Sequence, residues 1–311
     1  MTEFTETITH ERTVACRVCG STDLVKDGFG AEDSQFFLCR SCRRKSTGSD
    51  GFPRMQYDRD AVVRALTYYY NGMSYKHVGT ALKTEDRAEV PKWTAWRWVV
   101  KYSKLVNDYT VTLPADTGPV WMADETAVFI FGKQYWFWDC VDTKTRFLLA
   151  SHLSRVRDLT DATKFFRMAR WRSKTKPKVL LTDKLPAYYR AFNKVFYSPY
   201  PEMASEHLTS SGFNSPTNIN LLERFHGTFK ARVKVMKGLK VRECARVVLD
   251  GFVTWYNFLT PHESLGGRTP AMAAGIAKGP LDWKTLIELA LKAPKKNPEV
   301  PLEWREKFGI E

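Results

Sequence analysis

The chain has 311 residues, 43% hydrophobic and 14% aromatic, which is enough for two or three domains with a sizeable core and excludes a disordered chain. Its 48 Lys and Arg against 34 Asp and Glu leave a net charge of +14, a balance that favours a polyanionic partner such as nucleic acid. No stretch reaches the roughly 20 apolar residues of a membrane span. The acidic start MTEFTETITHERTVACR lacks an apolar core, so a cytoplasmic location is expected rather than secretion.

Four of the six cysteines form two CxxC pairs, Cys16/Cys19 and Cys39/Cys42, separated by a spacer of 19 residues. Each pair turns two sulfurs toward one ion, and the spacer is long enough for a hairpin. This is the four-thiolate spacing of a zinc ribbon over residues 1–50, with Zn²⁺ in a structural role because four thiolates leave no open position. So small a module buries too little apolar surface to fold without the ion. Arg40, Arg43, Arg44 and Lys45 beside the second pair suit a phosphate backbone or a solvated edge.

Helical spacing follows over residues 51–112. Ala61, Val62, Ala65, Leu66 and Tyr69 recur on one face, Asn71-Gly72 ends that helix, and Ser74 opens a second one running to Leu82. Pro91 suits the first turn of a third helix, PKWTAWRWVVKYSKLV, with Trp96, Val99, Val100 and Val106 inward and Arg97, Lys101 and Lys104 as a basic stripe. Three helices with a basic third one match a helix-turn-helix domain, although residues 83–90 connect more loosely than the usual tight turn. The plainer alternative is a three-helix bundle with no groove contact. Thr110 to Pro119, with two prolines and a glycine, reads as a linker.

From Val120 the period changes to two. Val120, Met122, Asp124 and Thr126 share a strand face, a turn at Gly132-Lys133 leads into QYWFWDCVD, and another at Asp142-Thr143-Lys144 leads into RFLLASHLS. A helix from Leu159 to Trp171 precedes a short strand from Lys178 to Thr182 that can add parallel to the first, bringing Asp183 near Asp124 as in an RNase H-like fold. Leu185 to Phe196 is helical, and Tyr197 to Thr217 reads as an exposed loop. A final helix carries an apolar stripe of Leu222, Phe225, Phe229, Val233 and Met236 beside Glu223, Lys230, Lys234 and Lys237, with Gly238 as its cap.

Two strand-borne aspartates and a helix-borne glutamate can converge on a pair of Mg²⁺ ions that clamp the oxygens of a phosphodiester. Singly, each has a bland reading: a surface strand residue, a helix cap, a solvated helix face. Of the other acids, Glu125 points to the opposite face from Asp124, while Asp139 and Asp142 read as turn or structural residues, with Asp142 the stronger reserve ligand. His226 reads as a satisfied helix histidine and His262 as structural. Cys140 and Cys244 read as small buried apolar residues.

Over residues 58–275 the chain resembles the DDE transposases of prokaryotic insertion sequences, relatives of the retroviral integrase core. WMADET is similar to that family's first-aspartate strand, LLTDK to its second-aspartate motif, NLLERFHGTFKARVK to its glutamate helix, and FVTWYNFLTPHESLGGRTPAMAA to its closing helix and loop. The interval from Asp183 to Glu223 is a few residues longer than usual there, and the Ser/Pro-rich loop offers room for them.

The resemblance implies an α/β RNase H-like core, a mixed five-stranded sheet with flanking helices, over residues 113–275. It also implies catalytic and metal-binding roles for Asp124, Asp183 and Glu223, and two Mg²⁺ or Mn²⁺ ions. The reaction would be phosphodiester hydrolysis at element ends followed by strand transfer into target DNA. Double-stranded DNA would be the partner, bound through Arg97, Lys101, Lys104, Arg224, Lys230 and Lys234, with a homo-oligomer on the DNA and nucleoid association. By its own residues, 276–311 reads as a helical tail, with one amphipathic helix, LDWKTLIELALK, followed by a Pro/Lys-rich stretch. A non-catalytic DNA-binding protein derived from a transposase stays open as the alternative, as does a structure-specific nuclease on the same fold.

Overall fold

A computed structural model describes residues 14–29, 35–47, 57–86, 89–210, 220–235, 239 and 242–293. The Gly238 cap, Met236, Lys237 and the Pro/Lys-rich tail lie outside these residues. β1 (Leu24–Phe29), β2 (Gln35–Cys39) and β3 (Lys45–Thr47) form a three-stranded antiparallel sheet in the order β1-β2-β3. Among described residues 14–47 only Ala15, Cys16 and Cys39 are buried, so this module has almost no apolar core.

Three helices follow: α1 (Arg59–Tyr70), capped by Asp58, then α2 (Tyr75–Asp86) and α3 (Lys92–Thr110). On α3, Ala95, Trp98, Val99, Tyr102 and Val106 are buried while Arg97, Lys101 and Lys104 are exposed. The expected basic stripe therefore stands in solvent. The inward face is turned slightly from the expected one, with Trp98 replacing Trp96, because that face must meet helices later in the chain. These are α7 (Arg242–Thr254) and α9 (Trp283–Lys292). The buried Tyr70 hydroxyl bonds Ser103 Oγ at 2.6 Å, and its ring stacks on Trp283 at 5.1 Å. Gly251 of α7 faces the same ring, and a Cβ there would run into the Tyr70 hydroxyl.

The second sheet has five strands in the order β6-β5-β4-β7-β8. β4 (Val120–Ile130), β5 (Lys133–Asp142) and β6 (Leu148–Ser154) form the expected antiparallel meander. After α4 (Leu159–Arg172), β7 (Val179–Thr182) joins β4 in parallel, with Met122 opposite Leu181. The expected turn at Gly132-Lys133 lies one residue earlier, at Phe131-Gly132, where both φ angles are positive. The segment read as an exposed loop contains the fifth strand, β8 (Glu206–Thr209), parallel to β7. Four residues on a sheet edge leave almost no periodicity to read.

α4 and α5 (Pro186–Phe196) cover one face, where Trp138 meets Phe165 and Tyr188. α6 (Asn220–Val235) covers the other, with Phe229 stacked on Phe137 at 4.4 Å. Past α7 a π-helical turn, Trp255–Leu259, buries Asn257, whose side chain accepts from Leu148 N–H at 2.9 Å and donates to Leu148 O at 3.0 Å. A short α8 (Pro270–Ala273) precedes α9. Asn257→Ala strands a buried N–H and C=O on β6 and is expected to cost about 2–3 kcal/mol, measured by urea unfolding.

Candidate active site

Because Met122 pairs with Leu181 in parallel register, Asp124 and Asp183 each lie two residues further along and reach the same level of the sheet. Asp183 follows the end of β7, where its Oδ1 accepts the Leu185 N–H at 2.9 Å in the turn that leads to Pro186 at the start of α5. Asp124 Oδ1 accepts the Glu125 N–H at 2.9 Å. Among the described residues, Asp124, Glu125 and Asp183 each place a carboxylate oxygen within 4.8 Å of the others, close enough for one cation.

Glu125 does face away from Asp124, toward Trp138 and α5, as alternation requires. Its extra methylene nevertheless brings the carboxylate alongside. Arg157 Nη1 donates to Oε1 at 2.9 Å and the Tyr188 hydroxyl to Oε2 at 2.7 Å, leaving the side chain 2% exposed. Adjacency to Asp124 was the one hint of this in the sequence. Arg157 and Tyr188 come from distant elements and carry no local signal.

Glu223 stands outside that trio, exposed in the first turn of α6. Its helix is nevertheless docked on the site. His226, one turn further on, bonds the fully buried Asp139 through Nε2 at 2.7 Å and puts Nδ1 3.7 Å from Asp124 Oδ2. Asp139 is the cross-strand partner of Asp124. Burial, then the neighbouring Asp139 charge, pushes the Asp124 carboxyl up to about 7. Burial opposes charging His226, but Asp139 outweighs it and holds the imidazole above its ordinary value. Asp142 is not a reserve ligand. It is fully buried and spent on accepting the Gly118 N–H, the Thr145 N–H and the Thr145 hydroxyl.

Residues 118–261 match the family model of the DDE domain. Over this segment, just under half of its length, the chain is similar to that DDE domain. A comparison with curated proteins gives no match. Among solved structures, the chain is similar to the HTLV-2 integrase catalytic core domain in complex with magnesium: 17% identity, TM-score 0.39, over 52% of this chain and 97% of that one. It is also similar to the simian T-cell lymphotropic virus intasome in complex with PP2A regulatory subunit B56γ: 15% identity, TM-score 0.39, over 70% and 77% of the two chains.

Outside the matched segment, Cys16, Cys19, Cys39 and Cys42 also place their sulfurs within 4.8 Å of one another. Cys16 and Cys42 are 3.6 Å apart, as are Cys19 and Cys39. Tetrahedral Zn²⁺ with bonds of about 2.3 Å separates sulfurs by about 3.8 Å, so the thiolates fit that ion. The two knuckles match: Gly20 donates its N–H to Cys16 O and Arg43 to Cys39 O, each at 2.8 Å and each with positive φ. The cations Arg97, Lys101, Lys104, Arg224, Lys230 and Lys234 are all exposed, on α3 and α6. No helix among the described residues is long and apolar enough to cross a membrane.

Proposed function

We propose that the protein is a DNA transposase that binds element ends and cuts and joins phosphodiesters with divalent metal at its DDE domain. The observation that carries this reading is the parallel β4–β7 register, which sets Asp124 and Asp183 at one level and brings their carboxylates together. Asp124, Asp183 and Glu223 would hold two Mg²⁺ or Mn²⁺ ions. Bound there, such ions supply an activated water or 3′-hydroxyl and neutralise the charge of the leaving oxygen. Both oxygens of Glu125 are already occupied by Arg157 and Tyr188, so that residue shapes the site rather than ligating metal. His226, one helical turn beyond Glu223, ties α6 to the strands of Asp124 and Asp139. Arg224, Lys230 and Lys234 on the same helix would grip the DNA backbone.

The division into a zinc ribbon (1–50), a helix-turn-helix domain (51–112), the catalytic core (113–275) and a tail (276–311) belongs to the same proposal. Zn²⁺ would fold the ribbon, and Arg97, Lys101 and Lys104 would enter a DNA groove. Work on two element ends at once would call for a homo-oligomer on the DNA, associated with the nucleoid. The exposed stripe on α3 and the tetrahedral fit of the four sulfurs support these parts.

The test is nicking of supercoiled plasmid and of duplex oligonucleotides carrying the element ends, in Mg²⁺ or Mn²⁺. Asp183→Asn and Glu223→Gln are expected to lose at least about 1,000-fold in rate, each removing transition-state charge stabilisation. Glu125→Gln should retain measurable cleavage. Wild-type cleavage that persists unchanged in Asp183→Asn would sink the reading.

A further inference from the structure

We propose that the outer face of the β4–β5 hairpin is a docking strip for an unpaired DNA strand leading to the carboxylate cluster. β7 ends at Thr182, level with Ala123, while β4 continues to Ile130. The hairpin therefore runs on about 20 Å past Asp124 at about 3.4 Å per residue. Its inner face is covered. Thr126, Val128 and Ile130 are buried, Phe137 stacks on Phe229 of α6, and the Phe131 N–H donates to Leu239 O.

The opposite face is open toward its tip. It presents Phe129, 63% exposed, beside its cross-strand partner Gln134, then the half-buried Trp136 opposite Ala127. Arg157 lies over the Trp136 ring at 3.9 Å and holds Glu125, so the strip runs directly into the trio of acids. At the tip Phe131 is 76% exposed and Lys133 is exposed.

The tip is also strained. Phe131 (φ 50°) and Gly132 (φ 73°) form a two-residue turn with both φ angles positive, a turn that favours Asn-Gly. A phenylalanine there costs stability and, being exposed, recovers none by burial. Strain of that kind persists where a side chain is needed for contact.

Phe129 and Trp136 on this face, with Arg157 over the Trp136 ring and Lys133 at the turn beside Ile130, provide what bases and phosphates require: π faces for stacking and cations for the backbone. A duplex keeps its base faces stacked inside, whereas a strand frayed or displaced at the cleavage point offers them. A second copy of this chain would bring the same cations against themselves, which disfavours it. The inference rests on the DDE reading only in that the strip ends at those carboxylates.

The experiment is fluorescence anisotropy with the full chain, using labelled oligo-dT of about 20 nucleotides and a blunt duplex of equal length. It compares wild type with Phe129→Ser, Phe131→Asn and the double variant. The double variant should bind oligo-dT about 10-fold or more weakly, from the loss of stacked bases, and bind duplex within about twofold. Phe131→Asn should melt no lower than wild type, because asparagine suits the turn. Unchanged oligo-dT affinity in the double variant overturns the proposal, as does equal weakening on both probes or a wild type that does not bind oligo-dT. Loss of self-association in sedimentation with DNA affinities intact overturns it too, in favour of a second copy. Plasmid nicking separates the two readings. Nicking that still needs Asp124 while these affinities stay fixed removes the strip alone. Affinities that move as expected, with nicking indifferent to Asp124→Asn, remove the DDE reading alone.

Discussion

Asp124→Asn is expected to abolish divalent-metal-dependent nicking while raising the melting temperature of the metal-free protein. The two effects have one cause. Asp124 is largely buried opposite Asp139, and its carboxyl is pushed up to about 7 from 3.8. Between those values the folded chain binds more protons than the unfolded chain. Stability therefore falls as pH rises from about 4 to about 7, and the full penalty is present above pH 7. Asparagine keeps the shape and removes the charge. At pH 8 without metal it should recover roughly 1–3 kcal/mol, a gain of a few degrees. Added Mg²⁺ or Mn²⁺ should raise the melting temperature of wild type and leave that of Asp124→Asn unchanged, since the cation is what offsets the buried charge. Wild-type metal stabilisation should weaken as pH falls below about 7, where protons compete for the same carboxylate. Thermal melts over pH and metal concentration, run beside the nicking assay, check all of this. A variant less stable than wild type at pH 8 and still metal-responsive would show that Asp124 is an ordinary strand residue.

Cys39→Ser is expected to unfold residues 14–47 and to leave residues 118–261 intact. With Ala15, Cys16 and Cys39 the only buried ones among the described residues there, apolar burial cannot offset the cost of ordering three strands. A structural zinc contributes on the order of 10 kcal/mol to such a module, and one lost thiolate forfeits much of it. Metal analysis of protein purified without chelator should find about one zinc per wild-type chain and far less in Cys39→Ser. Hydrogen exchange should show protection lost in β1–β3 and kept in β4–β7. Binding to duplex element ends should weaken by about 10-fold or more and keep a steep salt dependence from the remaining cations. Full protection of β1–β3 in a zinc-free variant would overturn the assignment.

Much of the site was legible because local chemistry announces it. Alternation over VWMADETAVFIFG marked β4, the apolar run before Asp183 marked β7, and a helix between them called for a parallel pairing. Two CxxC units announce a cysteine cluster for the same reason: each pair is local, and only the spacer must close. Less legible was whatever depends on partners far apart in the chain. β8 is four residues on an edge, recognisable only by the strand it joins. Asp142 reads as a turn or structural residue with a reserve place as ligand, and only the fold shows Gly118, 24 residues earlier, using its carboxylate. Segment 110–119 reads as a linker, yet it is tied down by backbone bonds from Ala115 to Arg172 and from Asp116 to Ala274.

The sequence by itself determined the residue types, their order and their periodicity, and therefore the strands bearing Asp124 and Asp183, the basic helix bearing Glu223, and the four thiols. Only the tertiary structure decided which carboxylate oxygens meet. Register set Asp124 beside Asp183, and the reach of Glu125 added a third oxygen. His226, held by Asp139, seated α6 against the pair. The physical reason is range: propensity and alternation act over a few residues, whereas charge pairing and desolvation depend on distances set by the packed sheet.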